Sequence, residues 1–191
     1  FHISPNVKER EYLTEDEIKT IMSHEFKSPT LALVRDLFVF ACFTALSFVD
    51  MKELTTDEIV EVNGEKWIIG KRHKTNVPFQ VKLLDIPLQI IERYKHLSKD
   101  KLVFGKINYW TMCKQLKRVI KECGIEKQIS YHCARHTFGT LALTKGMPIE
   151  SVSRVLGHTN IVTTQIYAKI TTQKLDNDLT MFGNKLNKVF N

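Results

Sequence analysis

Ten consecutive residues, Leu37-Phe-Val-Phe-Ala-Cys-Phe-Thr-Ala-Leu46, carry no charge and almost no polar surface. A helix that is apolar all round has to be covered on every side. This run is too short to cross a bilayer, so it reads as a central core helix that the rest of the chain must enclose. Ser28-Pro29 opens it, with proline tolerated in the first turn, and it runs to about Leu46. With 191 residues, 43% of them hydrophobic, the chain is long enough to bury such a helix in one domain, with or without a small appendage. No longer apolar stretch and no signal-peptide pattern is present, so a cytoplasmic protein with no membrane partner is expected. The chain begins at Phe1 rather than Met, which reads as a fragment of something longer.

Around the core run the pattern is mostly helical. Thr14-Glu-Asp-Glu17 forms a capping box ahead of Ile18, Ile21 and Met22. A short helix is expected around Asp50–Leu54. The period then changes to that of strands. Ile59–Val62, the turn Asn63-Gly64 and Lys66–Ile69 read as a hairpin with a type I′ turn. A basic turn, Lys71–Asn76, leads to a third strand over Pro78–Leu84. Further helices are predicted from Pro87, over Asn108–Cys123 with Gly124 closing it, over Tyr131–Lys145, over Pro148–Leu156 and over Asn160–Ile170. Residues 172–191 read as an amphipathic tail helix with Leu175, Leu179, Phe182 and Leu186 on one side. The expected fold class is mainly α with a small three-stranded antiparallel sheet, an α+β arrangement. Residues 1–171 form the domain and 172–191 its tail.

Twenty-eight Lys and Arg against 21 Asp and Glu give a formal charge of +7, which favours an anionic partner, nucleic acid first. The four cysteines, Cys42, Cys113, Cys123 and Cys133, form no CxxC pair and read as buried free thiols in a reducing compartment.

Within His132-Cys-Ala-Arg-His136 two histidines stand four apart, the helical spacing of half a zinc site. A metalloprotease helix carries a glutamate beside the first histidine, and here that place is Cys133. Arg135 would put a permanent cation one turn from the metal, and no third ligand cluster follows. The zinc reading fails, and no metal or cofactor is expected. The second feature is Leu156-Gly157-His158, followed by a threonine-rich segment and Tyr167.

Together, His132-x-x-Arg135-His136-Thr137, Leu156-Gly157-His158 and Tyr167 resemble the tyrosine recombinase (phage integrase) family. Leu13-Thr14-x-x-Glu17 resembles the start of that family's catalytic domain, and Lys74 stands in the basic turn where its strand-turn lysine belongs. The likeness covers about residues 11–170. It implies the tyrosine recombinase catalytic-domain fold and a DNA strand-breaking and rejoining enzyme of mobile elements, with double-stranded DNA as partner and a homo-tetramer on paired sites. Tyr167 would be the nucleophile, Arg135 and His158 would hold the phosphate, His132 would act as base and Lys74 as general acid.

The chemistry accounts for these residue types. A phosphodiester repels nucleophiles through its own anionic oxygens, so metal-free attack needs fixed cations and donors around the transition state. Arg135 offers a planar fork that lysine lacks. A phenol with pKa near 10 needs a base close by.

The family usually has an arginine where this chain has Ser47, in Thr44-Ala-Leu-Ser47-Phe-Val-Asp50, with the acid three residues on retained as Asp50. Some conjugative-transposon integrases resemble this chain in carrying serine there. Arg35, in an otherwise apolar helix, is the candidate replacement; it reads equally as half of an Arg–Asp surface pair, and Lys52 is a weaker alternative. Lys71, Arg72 and His73 beside Lys74 read as a solvated turn suited to phosphate contact. Lys114, Lys117 and Arg118 form a helical stripe that reads equally as a DNA-backbone face or an ordinary wet face. Two rivals remain: a module of the same fold that binds DNA but has lost catalysis, and a type IB topoisomerase.

Overall fold

The computed structural model describes residues 11–167 and 172–190. Their order is α1 (Glu15–Ser23), α2 (Pro29–Thr44), α3 (Phe48–Lys52), β1 (Ile59–Val62), β2 (Glu65–Lys71), β3 (Pro78–Lys82), α4 (Asp85–Tyr94), α5 (Tyr109–Glu122), α6 (Cys133–Thr144), α7 (Ile149–Leu156), α8 (Val162–Gln165) and α9 (Thr172–Phe190). No helix among them is long and apolar enough to cross a membrane.

The apolar run lies where its composition demands. Leu37, Phe38, Phe40 and Ala41 of α2 are wholly buried, and α2 is enclosed by α1, α4, α5 and α6. One charge inside it is compensated. Asp36 takes the Arg93 guanidinium at 2.7 Å and the Tyr94 hydroxyl at 2.8 Å, which fastens α4 across α2. Burial, reinforced by Asp36, pushes the Tyr94 hydroxyl up to about 12. Cys42 and Cys133 are buried thiols, and burial drives the Cys42 pKa well upward.

The expected capping box closes α1. The Thr14 backbone N–H donates to Glu17 at 2.7 Å, and the Glu17 N–H donates to the Thr14 hydroxyl at 3.3 Å. The sheet is antiparallel in the order β1-β2-β3. Asn63 and Gly64 sit at φ 53° and 77°, the positive pair a type I′ turn requires. Some boundaries move. Ser47, whose hydroxyl accepts from the Asp50 N–H at 3.2 Å, starts α3 at Phe48, earlier than the expected Asp50. The next helix begins at Asp85 rather than Pro87, with the proline inside its first turn. The segment expected as a helix over 160–170 is only the four-residue α8 within the described residues; 168–170 lie outside them.

Helix α2 ends at Ala45, which adopts the left-handed conformation (φ 56°, ψ 19°) usually given to glycine. Its N–H bonds Ala41 O at 2.9 Å, and the turn swings the chain towards α3. A Cβ in this region costs about 1 kcal/mol. Ala45→Gly is therefore expected to raise the thermal midpoint by about 2–4 °C for a domain of this size; an unchanged or lower midpoint in thermal unfolding would contradict strain at this position.

Candidate active site

Strand alternation decides the first element of the site. On β2, Ile68 is fully buried and Ile69 is exposed, so the face carrying Ile68 and Gly70 carries Arg72 two residues further on. Arg72 is only 5% exposed. Its guanidinium lies 4.0 Å from the centre of the Phe79 ring, donates to Asp50 Oδ2 at 3.0 Å and donates to the Val155 carbonyl at 2.5 Å. The expectation of a solvated Arg72 is thus corrected. Its neighbours behave as expected of the turn: Lys71, His73 and Lys74 are exposed. The His73 backbone N–H donates to Asp50 Oδ1 at 3.0 Å.

Helix α6 supplies the second element. Arg135 projects from its first turn and forks between two helix ends, donating to Ala45 O at 2.7 Å and to Leu156 O at 2.5 Å. Arg72 and Arg135 thus grip the neighbouring carbonyls 155 and 156 at the C-terminus of α7, where intrahelical partners run out and the helix dipole is negative. Gly157 ends α7 at φ 66°, and a Cβ there would stand 3.0 Å from Arg72 Nε. Only glycine serves both the turn and the close approach. His158 follows at once, half-buried, with Nδ1 2.9 Å from the Thr164 hydroxyl of α8. The tautomer in which Nδ1 accepts from Thr164 carries its proton on Nε2 as a donor.

Tyr167 closes the arrangement. Its N–H bonds Thr164 O at 3.1 Å, its hydroxyl lies 2.8 Å from His136 Nδ1, and its ring covers Gly139. His132, exposed at the start of α6, meets His136 edge-on with ring centres 4.7 Å apart. With His136 Nδ1 turned to Tyr167, the two imidazoles form an edge-to-face pair.

Positive charge predominates in this cluster, with Asp50 offsetting Arg72. Burial alone would raise the Asp50 carboxyl, but the His73 N–H, the Ser47 hydroxyl and Arg72 together hold it below the usual carboxylate range. Burial lowers Arg72 against the pull of Asp50. Burial first, then the charge of Arg72, draws Arg135 down to about 10. Burial, then Arg135 and Arg72, draws His158 from 6.5 down to about 4. Such lowering is what cations held near one another and partly shut off from water undergo.

The other expected residues lie elsewhere. Arg35 is not brought to this cluster. It pairs with Asp36 and donates to the carbonyls of Met22 at 3.1 Å and His24 at 2.9 Å, satisfying the end of α1. Lys114, Lys117 and Arg118 lie exposed on α5, Lys114 over the Trp110 ring at 4.7 Å and Arg118 bonded to Gln115 at 3.2 Å.

Residues 11–174 match the sequence profile of the phage integrase family. The chain belongs to the phage integrase family. Among curated members it is 29% identical over 181 residues to tyrosine recombinase XerD of Listeria innocua, covering 85% of this chain and 59% of that one. It is 30% identical over 177 residues to tyrosine recombinase XerA of Pyrococcus horikoshii, covering 85% and 58%. The chain therefore spans a little under 60% of these relatives. Its fold is shared by the XerH recombinase in a post-cleavage complex with difH substrate (TM-score 0.72, 22% identity, covering 92% of this chain and 54% of that one). It is also shared by the Tn1549 transposon integrase in complex with a circular intermediate DNA (TM-score 0.74, 17% identity, 94% and 68%).

The His158 shift has a consequence for this integrase-family domain. A histidine held at about 4 in the fold and 6.5 when unfolded contributes its full stability above pH 6.5 and loses it as pH falls towards 4. His158→Gln is expected to flatten that part of the stability-against-pH curve in denaturant titrations; a variant curve parallel to wild type would refute it.

Proposed function

We propose that this chain is the catalytic domain of a site-specific DNA recombinase or integrase. The observation that carries the reading is the attachment of Arg72 and Arg135 to neighbouring carbonyls at the end of α7, which His158 follows, with Tyr167 of the same chain bonded to His136 of α6. The Tyr167 oxygen attacks the scissile phosphorus, its proton passing to His132. A 3′-phosphotyrosine forms as the bond to the 5′ oxygen breaks, and Lys74 supplies the proton that this oxygen takes. Arg135 and Arg72 neutralise the non-bridging oxygens while His158 donates a hydrogen bond. The phosphotyrosine conserves the energy of the broken bond, so rejoining calls for neither nucleoside triphosphate nor metal.

Arg72 takes the part of the arginine that Ser47 replaces. Ser47 Oγ lies 2.7 Å from Asp50 Oδ2, the same oxygen that receives Arg72 at 3.0 Å. A guanidinium arriving from β2 is thereby held against the acid three residues after Ser47. This favours an active enzyme over an impaired DNA-binding module. The topoisomerase reading has no observation in its favour.

Double-stranded DNA is the substrate. Lys71, His73, Lys114, Lys117 and Arg118 are proposed to contact its backbone, which makes binding steeply salt-dependent without specifying sequence. The domain ends at residue 171, and α9 is a tail whose Leu175, Leu179, Phe182 and Leu186 are exposed. This apolar face suits packing on a neighbouring subunit in a tetramer on paired sites.

The test is a nicked suicide duplex carrying the ends of the element that encodes the protein, incubated with the full-length protein. A protease-sensitive adduct lost in Tyr167→Phe is expected, and its absence would sink the enzymatic reading. Arg72→Ala should lower the cleavage rate by about 10²–10³-fold, whereas Arg35→Ala should leave it near wild type. Equal losses in the two variants would reject the assignment of Arg72.

A further inference from the structure

His136 has no part in the chemistry above, although it is 3% exposed and its Nδ1 lies 2.8 Å from the Tyr167 hydroxyl. It stands four residues after His132 and three before Gly139, on one stripe of α6. Tyr167 lies along that stripe. A Cβ at Gly139 would come 2.8, 2.9 and 3.1 Å from three carbons of the tyrosine ring, so the missing side chain is the seat of the ring. The backbone side of Tyr167 is fixed separately, through its N–H to Thr164 O, and Thr164 is the residue that holds His158. The phenol is therefore held at three points: backbone, ring and hydroxyl. Its oxygen is close enough to Arg135 to influence that guanidinium.

We propose that His136 is a positioning residue for the nucleophile: its Nδ1 fixes the Tyr167 hydroxyl beside the Arg135 clamp before DNA arrives, while Gly139 leaves the room the ring needs. The inference rests on the recombinase reading of Tyr167. A buried histidine against a tyrosine could serve packing alone, but packing would not depend on which ring nitrogen meets the hydroxyl. Displacing a reacting atom by about 1 Å can cost about 10²-fold in rate, so losing this bond should be visible in the cleavage step rather than in DNA binding.

Asparagine and glutamine separate the two explanations. The asparagine amide places a polar atom where Nδ1 stands, whereas glutamine places one nearer the position of Nε2. Single-turnover cleavage of the nicked suicide duplex would be measured for full-length wild type, His136→Asn, His136→Gln and Gly139→Ala, with DNA affinity and thermal midpoint measured alongside. His136→Asn is expected to stay within about fivefold of wild type, and His136→Gln and Gly139→Ala to fall by about 10–10²-fold, all binding DNA as wild type does. His136→Gln cleaving as fast as His136→Asn, or both being equally slow, would overturn the proposal. Gly139→Ala cleaving at the wild-type rate would also overturn it. Wild type failing to form a Tyr167-dependent adduct at all would instead strike the recombinase reading on which the inference rests.

Discussion

One buried carboxylate makes the rest of this site possible. Asp50 accepts from the Ser47 hydroxyl, the His73 backbone N–H and the Arg72 guanidinium, and so ties α3 to the turn between β2 and β3. Without it, Arg72 would be a cation only 5% exposed beside a second arginine, an arrangement the interior tolerates only with compensation. A buried pair of this kind stabilises little in net terms, yet losing one partner costs roughly 3–5 kcal/mol. The pair is better understood as a fixed mount than as a source of stability. It holds a positive fork at a defined place, and the two free carbonyls at the end of α7 complete the mount from the other side.

Much of the fold was legible in the sequence because the signals were local. The all-apolar run over 37–46 had to be central, the Thr14–Glu17 box had to start a helix, and Asn63-Gly64 had to turn a hairpin. Boundaries shifted where a nearby hydrogen bond outweighed the pattern, as when the Ser47 cap started α3 two residues early. Of the site, Arg135, His158 and Tyr167 were legible through the likeness of their motifs to the family's, and the structure gathers them around the ends of α6 and α7. Arg35 drew notice as a charge in an apolar helix, but its guanidinium answers a need of α1, whose terminal carbonyls would otherwise lack donors. Arg72 was hidden among basic neighbours in a turn, although the period of two from Ile68 already pointed it inward. His136 stands out in the sequence for its distance from His132, whereas its hydrogen-bond partner, Tyr167, lies 31 residues away and only tertiary structure brings it near.

If Arg72 serves as proposed, the position of Ser47 illustrates how a site keeps its electrostatics while changing the residue that supplies them. What a phosphate meets is a charge at a place, and the backbone that delivers the charge is free to differ. Here Arg72 comes from a strand end, and Asp50 at the start of α3 receives it.

The double grip of Arg135 has a mechanical consequence. Its fork joins the last carbonyl of α7 to the end of α2, so this guanidinium is also a latch between helices. A fluctuation that lifts α7 from its seat takes away both carbonyls that fix the arginines, and displaces His158 with them. The cluster is thus assembled only while α7 is seated. On the recombinase reading proposed above, a copy with α7 unseated would lose the arrangement of Arg72, Arg135 and His158 in one motion, so the cluster and the closed domain stand or fall together.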